Sequence, residues 1–152
     1  MNFADMLPTD DLDTLLPHRR PMRLIDRLID GDQTFAVSET LIRADDPFVD
    51  ADRGVPAWAL LEYFAQTAAL IGGIEAANAG GSIPQGLLLG TRKLVCGVSH
   101  IPLGATMKLE ARQEFSDGAG MSAYRCKTLH DEWPVECVLS VYAPKSVEKD
   151  TP

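Results

Sequence analysis

Side chains that bind metals or form disulfides are scarce in this sequence. Among its 152 residues there are only 3 cysteines and 3 histidines. Cys96, Cys126 and Cys137 are widely separated, which gives neither a C-x-x-C metal pair nor a disulfide framework. No histidine has the spacing to another such side chain that a metal site or a catalytic triad requires. We therefore expect buried thiols and no metal site.

Positive charge and glycine-rich phosphate loops are also lacking. The chain has 14 Lys and Arg against 22 Asp and Glu, and its net charge of −8 disfavours nucleic-acid binding. Neither a Walker loop nor a dinucleotide-binding glycine motif is present, so we expect no nucleotide cofactor. The opening M-N-F-A-D-M-L-P has no basic n-region and no apolar h-region, which predicts a cytoplasmic protein.

What the sequence does contain is typical of a globular protein. Apolar residues make up 45% of it and charged residues 24%. At this length we expect a single domain over residues 1–152, with a core at about 15–143 and a frayed, charged tail at 145–152.

An apolar segment at residues 55–79 predicts one long buried helix. It reads V-P-A-W-A-L-L-E-Y-F-A-Q-T-A-A-L-I-G-G-I-E-A-A-N-A. Pro56 suits a first helical turn and Gly80 suits a helix end. Apolar residues occur on every side, so other elements must wrap the helix. A membrane span is not expected, because the carboxylates of Glu62 and Glu75 would be costly in hydrocarbon.

Strand patterns lie on both sides of this helix. In front of it, M-R-L-I-D-R-L-I-D and F-A-V-S-E-T-L-I flank a G-D-Q turn, which predicts a hairpin. Behind it, four β-like segments occupy residues 87–96, 105–115, 121–129 and 134–143. An antiparallel sheet that buries one helix must curl around it, which predicts an α+β hot-dog fold. Dimerisation is the expected way to cover the edge of such a sheet.

Glu62 is the first catalytic candidate. It lies two turns into the predicted helix, and Gln66 follows at i+4 on the same face. Apolar surroundings raise the pKa of a carboxyl group towards that of a general acid or base. A glutamate that is paired with an arginine, or that lies in a dimer interface, is the alternative. The helix start also supplies the backbone N–H groups of Ala57 and Trp58, which can polarise a carbonyl or hold an oxyanion.

The segment L-P-H-R-R-P-M carries a histidine and two arginines. Its two prolines predict a rigid connector that holds His18, Arg19 and Arg20 in place. Each histidine of the chain is expected to pack on the surface or in a loop. Arginine suits phosphate recognition, so a basic patch that binds phosphate or a carrier is one interpretation, and solvated charge is the other. The candidate patch consists of Arg19, Arg20, Arg23, Arg92 and Lys93.

Two of these segments resemble one enzyme family. L-L-P-H-R-R-P-M-R-L-I-D-R-L and V-P-A-W-A-L-L-E-Y-F-A-Q-T resemble the motifs L-L-P-H-R-x-P-F-L-L-V-D-R and P-G-V-L-x-x-E-A-x-A-Q of the β-hydroxyacyl-acyl carrier protein dehydratases. The chain is still more similar to the branch of predicted 3-hydroxyacyl-acyl carrier protein dehydratases associated with aryl polyene clusters. That branch has an L-P-A-W-type helix start and an L-L-G-T-R-x-x-x-C strand. The resemblance covers most of residues 15–143.

The resemblance implies roles for individual residues. It implies that Glu62 is the catalytic carboxylate and that Gln66 supports it. Ala57 stands where the family has a glycine whose N–H binds the thioester carbonyl. The family's catalytic histidine lies in a G-H-F-P-G segment, and the corresponding P-F-V-D-A-D-R-G of this chain has no histidine. His18 matches the non-catalytic histidine of the opening motif.

The implied reaction is dehydration of a 3-hydroxyacyl chain on an acyl carrier protein, of the fatty-acid or polyene type and without a cofactor. In the superfamily each site lies at a dimer interface, where one subunit supplies the histidine and the other the carboxylate. We therefore expect a heterodimer with a second hot-dog subunit that supplies the histidine. Asp50 or Asp52 could instead replace the histidine in a homodimer. An acyl thioesterase and a non-catalytic scaffolding subunit are further alternatives.

Overall fold

The computed structural model describes residues 2–144, without the side chain of Ala4. The predicted frayed tail at 145–152 lies outside the described residues. A long helix, α1, spans Leu60–Ala79. In chain order the strands are β1 (Arg27–Gly31), β2 (Phe35–Leu41), β3 (Val55–Pro56), β4 (Leu87–Cys96), β5 (His100–Ile101), β6 (Thr106–Ser116), β7 (Met121–Thr128) and β8 (Val135–Tyr142). Short 3-10 helices lie at Phe3–Met6 and Ala57–Ala59.

Six of the strands form one antiparallel sheet in the order β1-β2-β6-β7-β8-β4, and β3 pairs with β5. Helix α1 contacts β1, β2, β6, β7 and β8, so the sheet must curve around it. This arrangement is the predicted α+β hot-dog fold, in which a curled antiparallel sheet wraps a long helix. Among the described residues no helix has the length and hydropathy that a bilayer span requires.

The strands behind the helix confirm the four predicted segments to within one residue at each end. Apolar and charged residues alternate along β6, so the two kinds lie on opposite faces of the sheet. Met107, Leu109 and Ala111 are buried against α1, and charged residues stand between them. Of the expected buried thiols, Cys126 and Cys137 lie opposite each other on β7 and β8. The expectation is wrong for Cys96, which is exposed because it ends the edge strand β4.

The predicted helix start at residue 55 is wrong by five residues. Val55 pairs with Ile101 in the β3–β5 ladder, and Pro56 is extended, with φ −60° and ψ 139°. The Ala57 N–H donates to the Ser99 carbonyl at 2.9 Å, which draws the chain away from α-helical geometry. The predicted helix end is confirmed.

The first predicted strand also begins later than expected, at Arg27 instead of Met22. Between these residues the backbone bonds to a side chain of α1: the Met22 carbonyl and the Leu24 N–H both pair with Gln66. A backbone group that pairs with a side chain is not available to a sheet ladder.

A close contact between α1 and the segment before the connector depends on a glycine. Leu12, Leu15 and Leu16 are fully buried. A Cβ atom at Gly73 would lie 2.3 Å from the Leu15 carbonyl oxygen, which is far inside van der Waals contact. Only a residue without a Cβ lets the two backbones approach this closely.

We predict that Gly73→Ala lowers the free energy of unfolding by about 2–3 kcal/mol, since overpacking outweighs the gain in helix propensity. Gly72→Ala is the matched control. It gains the same propensity, and its Cβ would meet only the Pro84 ring, at 3.0 Å. Urea unfolding of both variants measures the difference. Equal stability of the two would contradict the close backbone contact.

Candidate functional site

A cavity of about 390 Å³ runs along one face of α1 and contains Glu62. The helix also lines it with Ala65, Ala69 and Gly72, whose small side chains leave the space open. From Glu62 to Gly72 the helix rises about 15 Å, at ~1.5 Å per residue. Strand residues that line the opposite wall are Leu87, Leu88, Tyr124 and Val141. The volume is that of a small-molecule site.

Gln66 is fully buried beneath this cavity, and both the oxygen and the nitrogen of its amide have hydrogen-bond partners. Its Oε1 accepts the Leu24 N–H at 2.8 Å. Its Nε2 donates to the Met22 carbonyl at 2.8 Å and to Glu62 Oε1 at 3.2 Å. One side chain therefore attaches the connector to α1 and also orients the glutamate.

Glu62 is half-buried, because it faces the cavity and not the packed core. Among the ion pairs of residues 2–144 none involves Glu62, so within one chain it is not the arginine-paired glutamate that was the alternative interpretation. Gln66 binds one carboxylate oxygen, which leaves the other for a ligand. A carboxylate held this way can exchange a proton with a molecule in the cavity.

The 3-10 turn before α1 carries Ala57 and Trp58, whose backbone N–H groups are predicted to bind a carbonyl. The N–H of Ala57 is already paired with the Ser99 carbonyl, so it is not free to bind a thioester as expected. Trp58 lies at the next position of the 3-10 turn, where helical geometry gives the N–H no partner in the same turn. Its ring is 59% exposed and packs edge-to-face on Phe48. Trp58 is thus the candidate donor that is left.

Asp50 and Asp52 lie in the turn before the helix, and neither lines the Glu62 cavity of its own chain. Asp50 Oδ1 accepts the Asp52 N–H at 2.8 Å. This hydrogen bond holds the pKa of the Asp50 carboxyl below its usual range. A carboxylate with a lowered pKa is a weaker base, so Asp50 is poorly suited to replace a histidine.

The five basic candidates are used in different ways. Arg20 pairs with Asp26, and Asp13 pairs with Arg19 at 3.6 Å and with Arg23 at 2.8 Å. The other two are exposed on β4, and no ion pair of the described chain includes them. These two are Arg92 and Lys93. Of the five candidates, the two without an ion pair thus lie on the edge strand, and not on the connector.

His18 lines the same cavity as Glu62, which the sequence did not reveal. The rigid L-P-H-R-R-P segment was the available signal, but only the long-range bonds of Gln66 show where that segment is attached. The part of the chain that the structure describes contains no group of three or more His, Cys, Asp or Glu that could hold a metal ion.

We predict that Gln66→Leu lowers the free energy of unfolding by about 2–4 kcal/mol, because it leaves the buried Leu24 N–H and the part-buried Met22 carbonyl without partners. Glu62→Gln is the control, since it preserves the shape of the site and both of these bonds. Urea unfolding compares the variants. A midpoint for Gln66→Leu equal to that of Glu62→Gln would show that the connector is held by other contacts.

Comparison with known proteins gives the family. A model of the ApeP-like family, described as ApeP dehydratase, matches residues 10–151. No match to a curated protein was found. Among solved structures, the dehydratase heterocomplex ApeI:P from Xenorhabdus doucetiae matches with a TM-score of 0.81 and 23% identity, over 93% of this chain and 94% of that chain.

Two more distant structures share the fold. Cj0977, a sigma28-regulated virulence protein from Campylobacter jejuni, has a TM-score of 0.61 at 15% identity, over 87% of this chain and 84% of that one. The protein smu.793 from Streptococcus mutans, bound to acetyl CoA, has a TM-score of 0.60 at 12% identity, over 84% and 94%. Because the family model spans nearly the whole chain, the protein belongs to the ApeP-like family of hot-dog dehydratases.

Proposed function

We propose that this chain dehydrates 3-hydroxyacyl thioesters carried on an acyl carrier protein, and that Glu62 transfers a proton in the reaction. The position of Glu62 is the observation that carries the proposal: its carboxylate lies in the wall of a cavity, without an ion pair to any residue of 2–144 and oriented by Gln66. Dehydration needs a base for the C2 proton and an acid for the departing C3 hydroxyl. A carboxyl group can serve as either.

The cavity supports an acyl substrate. Its walls are mainly small or apolar side chains, and its length follows α1 away from Glu62. An acyl chain can lie along Ala65, Ala69 and Gly72 while its reacting carbons stay beside the carboxylate. The Trp58 N–H is the candidate donor to the thioester carbonyl. Carrier proteins are acidic, so Arg92 and Lys93 are the candidate docking residues, with Arg19 and Arg20 already paired to carboxylates. Strand side chains stand out from the plane of the sheet, so a carrier can contact these two beside a subunit that pairs with the backbone edge of β4.

A second hot-dog subunit is proposed to supply the catalytic histidine. The segment before α1, P-F-V-D-A-D-R-G, contains none. Strand β4 ends the sheet as an open edge, on which Leu87, Leu89 and Val95 are each more than half exposed. An open apolar edge of this kind favours pairing with another chain. The ApeI:P protein is itself a dehydratase heterocomplex, which fits a shared site.

We predict that Glu62→Gln reduces dehydration of a 3-hydroxyacyl-carrier substrate by about 10²- to 10⁴-fold, the contribution of a positioned acid or base. The assay uses this chain mixed with candidate hot-dog subunits from the same genome. Glu75→Gln is the matched control, because Glu75 is an exposed glutamate on the same helix. Full activity of Glu62→Gln would refute the proposed role.

The same assay separates the alternatives. If the purified chain is active alone and Asp50→Asn or Asp52→Asn abolishes that activity, the homodimer interpretation replaces the shared site. Release of free thiol without an enoyl product would identify a thioesterase. A mixture whose activity does not depend on any of these carboxylates would identify a scaffolding subunit.

We also predict that Gly72→Ala shifts the preference towards shorter acyl chains. Gly72 is the cavity-lining helix residue farthest along the chain from Glu62, and its new methyl group would approach the Pro84 ring. The ratio of kcat/KM for long over short substrates should fall by about tenfold, the value of roughly one methylene in an apolar pocket. The short substrate serves as the internal control. An unchanged ratio would place the acyl chain elsewhere.

A further inference from the structure

The connector that carries His18 is fixed on both of its sides. On the amino-terminal side, Arg19 Nη1 donates to the carbonyls of Leu16 at 2.7 Å and His18 at 3.0 Å. Nη2 of the same guanidinium donates to the Asp13 carbonyl at 3.1 Å. On the carboxyl-terminal side, Gln66 binds the backbone at residues 22 and 24. The backbone is therefore held on both sides of His18, whose side chain lines the cavity.

The two nitrogens of this imidazole have different surroundings. Nδ1 of His18 is enclosed and has no hydrogen-bond partner within residues 2–144. Any bond from the ring to a molecule in the cavity must then use Nε2. A buried N–H without an acceptor is rarer in proteins than an acceptor without a donor, so we assign the proton to Nε2. His18 thus presents an N–H donor to cavity ligands.

We propose that His18 binds the C3 hydroxyl of the substrate through Nε2–H, in the cavity that it shares with Glu62. This inference rests on the proposed dehydration. The substrate has two polar groups near its reacting carbons, and the thioester carbonyl is assigned to the 3-10 turn before α1. The described polar side chains of the cavity wall are His18, Glu62, Gln66, Gln85 and Tyr124. The Gln66 amide is already bonded to the connector and to Glu62. Tyr124 bonds to Ser122, and Gln85 is exposed. Glu62 and His18 are therefore the side chains to which we assign the hydroxyl.

The chemistry of the step agrees with an N–H donor at this position. The C2 proton goes to a base, the C2–C3 double bond forms, and the C3–O electron pair leaves with the oxygen. That oxygen takes a proton from the acid and departs as water. Negative charge grows on the oxygen as the bond weakens, and an N–H donor stabilises it. His18 itself ends the cycle unchanged.

Binding measurements can test this role without turnover. The complex of the full chain carrying Glu62→Gln with its hot-dog subunit is titrated with a 3-hydroxyacyl-pantetheine thioester and with the saturated acyl thioester of equal length. Adding His18→Ala should weaken binding of the hydroxyacyl thioester about 3- to 10-fold, the value of roughly one hydrogen bond, and leave the saturated one unchanged. His18→Gln, whose amide N–H can replace Nε2–H, should recover part of the loss.

Each remaining result overturns the inference in a recognisable way. If His18→Ala weakens the binding of both thioesters equally, His18 packs against the ligand without binding its hydroxyl. If it weakens the binding of neither, His18 does not contact the ligand. If this complex without a His18 substitution binds neither thioester, the proposed function fails and this inference fails with it. His100→Gln is the matched control, since His100 does not line the cavity. Thermal unfolding of each variant verifies that it is folded.

Discussion

The site depends on the buried amide of Gln66. A buried amide must have partners for its oxygen and for its N–H groups, and here the partners come from the connector and from Glu62. Two of these bonds hold the connector against α1, where it forms part of the cavity wall. The third orients the Glu62 carboxylate. Loss of any one of them would leave a polar group buried without a partner. Stability and site geometry are therefore linked at one residue.

Other elements surround the helix on nearly all sides, but one face packs in the core and another lines the cavity. Tyr63, Phe64 and Ile74 are packed in the core, while Ala65, Ala69 and Gly72 line the cavity. Both faces look apolar in the sequence, since a cavity that holds an acyl chain needs the same residue types as a core. What differs is side-chain size. The small residues leave a cleft between α1 and the strands, and Glu62 is the one carboxylate among the described residues that line it.

Local patterns predicted most of the fold and the pairing of Glu62 with Gln66, because alternation, apolar periodicity and i+4 spacing are properties of neighbouring residues. They could not predict contacts between distant segments. The Ala57 N–H is paired by Ser99, and this pairing turned an expected helix start into a short strand and a 3-10 turn. Arg19 looked like a phosphate ligand but binds backbone carbonyls of its own connector. The position of His18 in the cavity wall could not be predicted either, because it depends on contacts between the connector and α1.

The central claim is that the Glu62 cavity holds the reacting carbons of a 3-hydroxyacyl chain. A crystal structure of the protein with its hot-dog partner and a 3-hydroxyacyl-pantetheine amide, in which an amide replaces the thioester, tests it most directly. We expect the C3 oxygen at about 2.6–3.2 Å from a Glu62 carboxylate oxygen, with the acyl chain along Ala65 and Ala69. A ligand bound elsewhere, with Glu62 closed off in a subunit contact, would show that the cavity does not hold the reacting carbons.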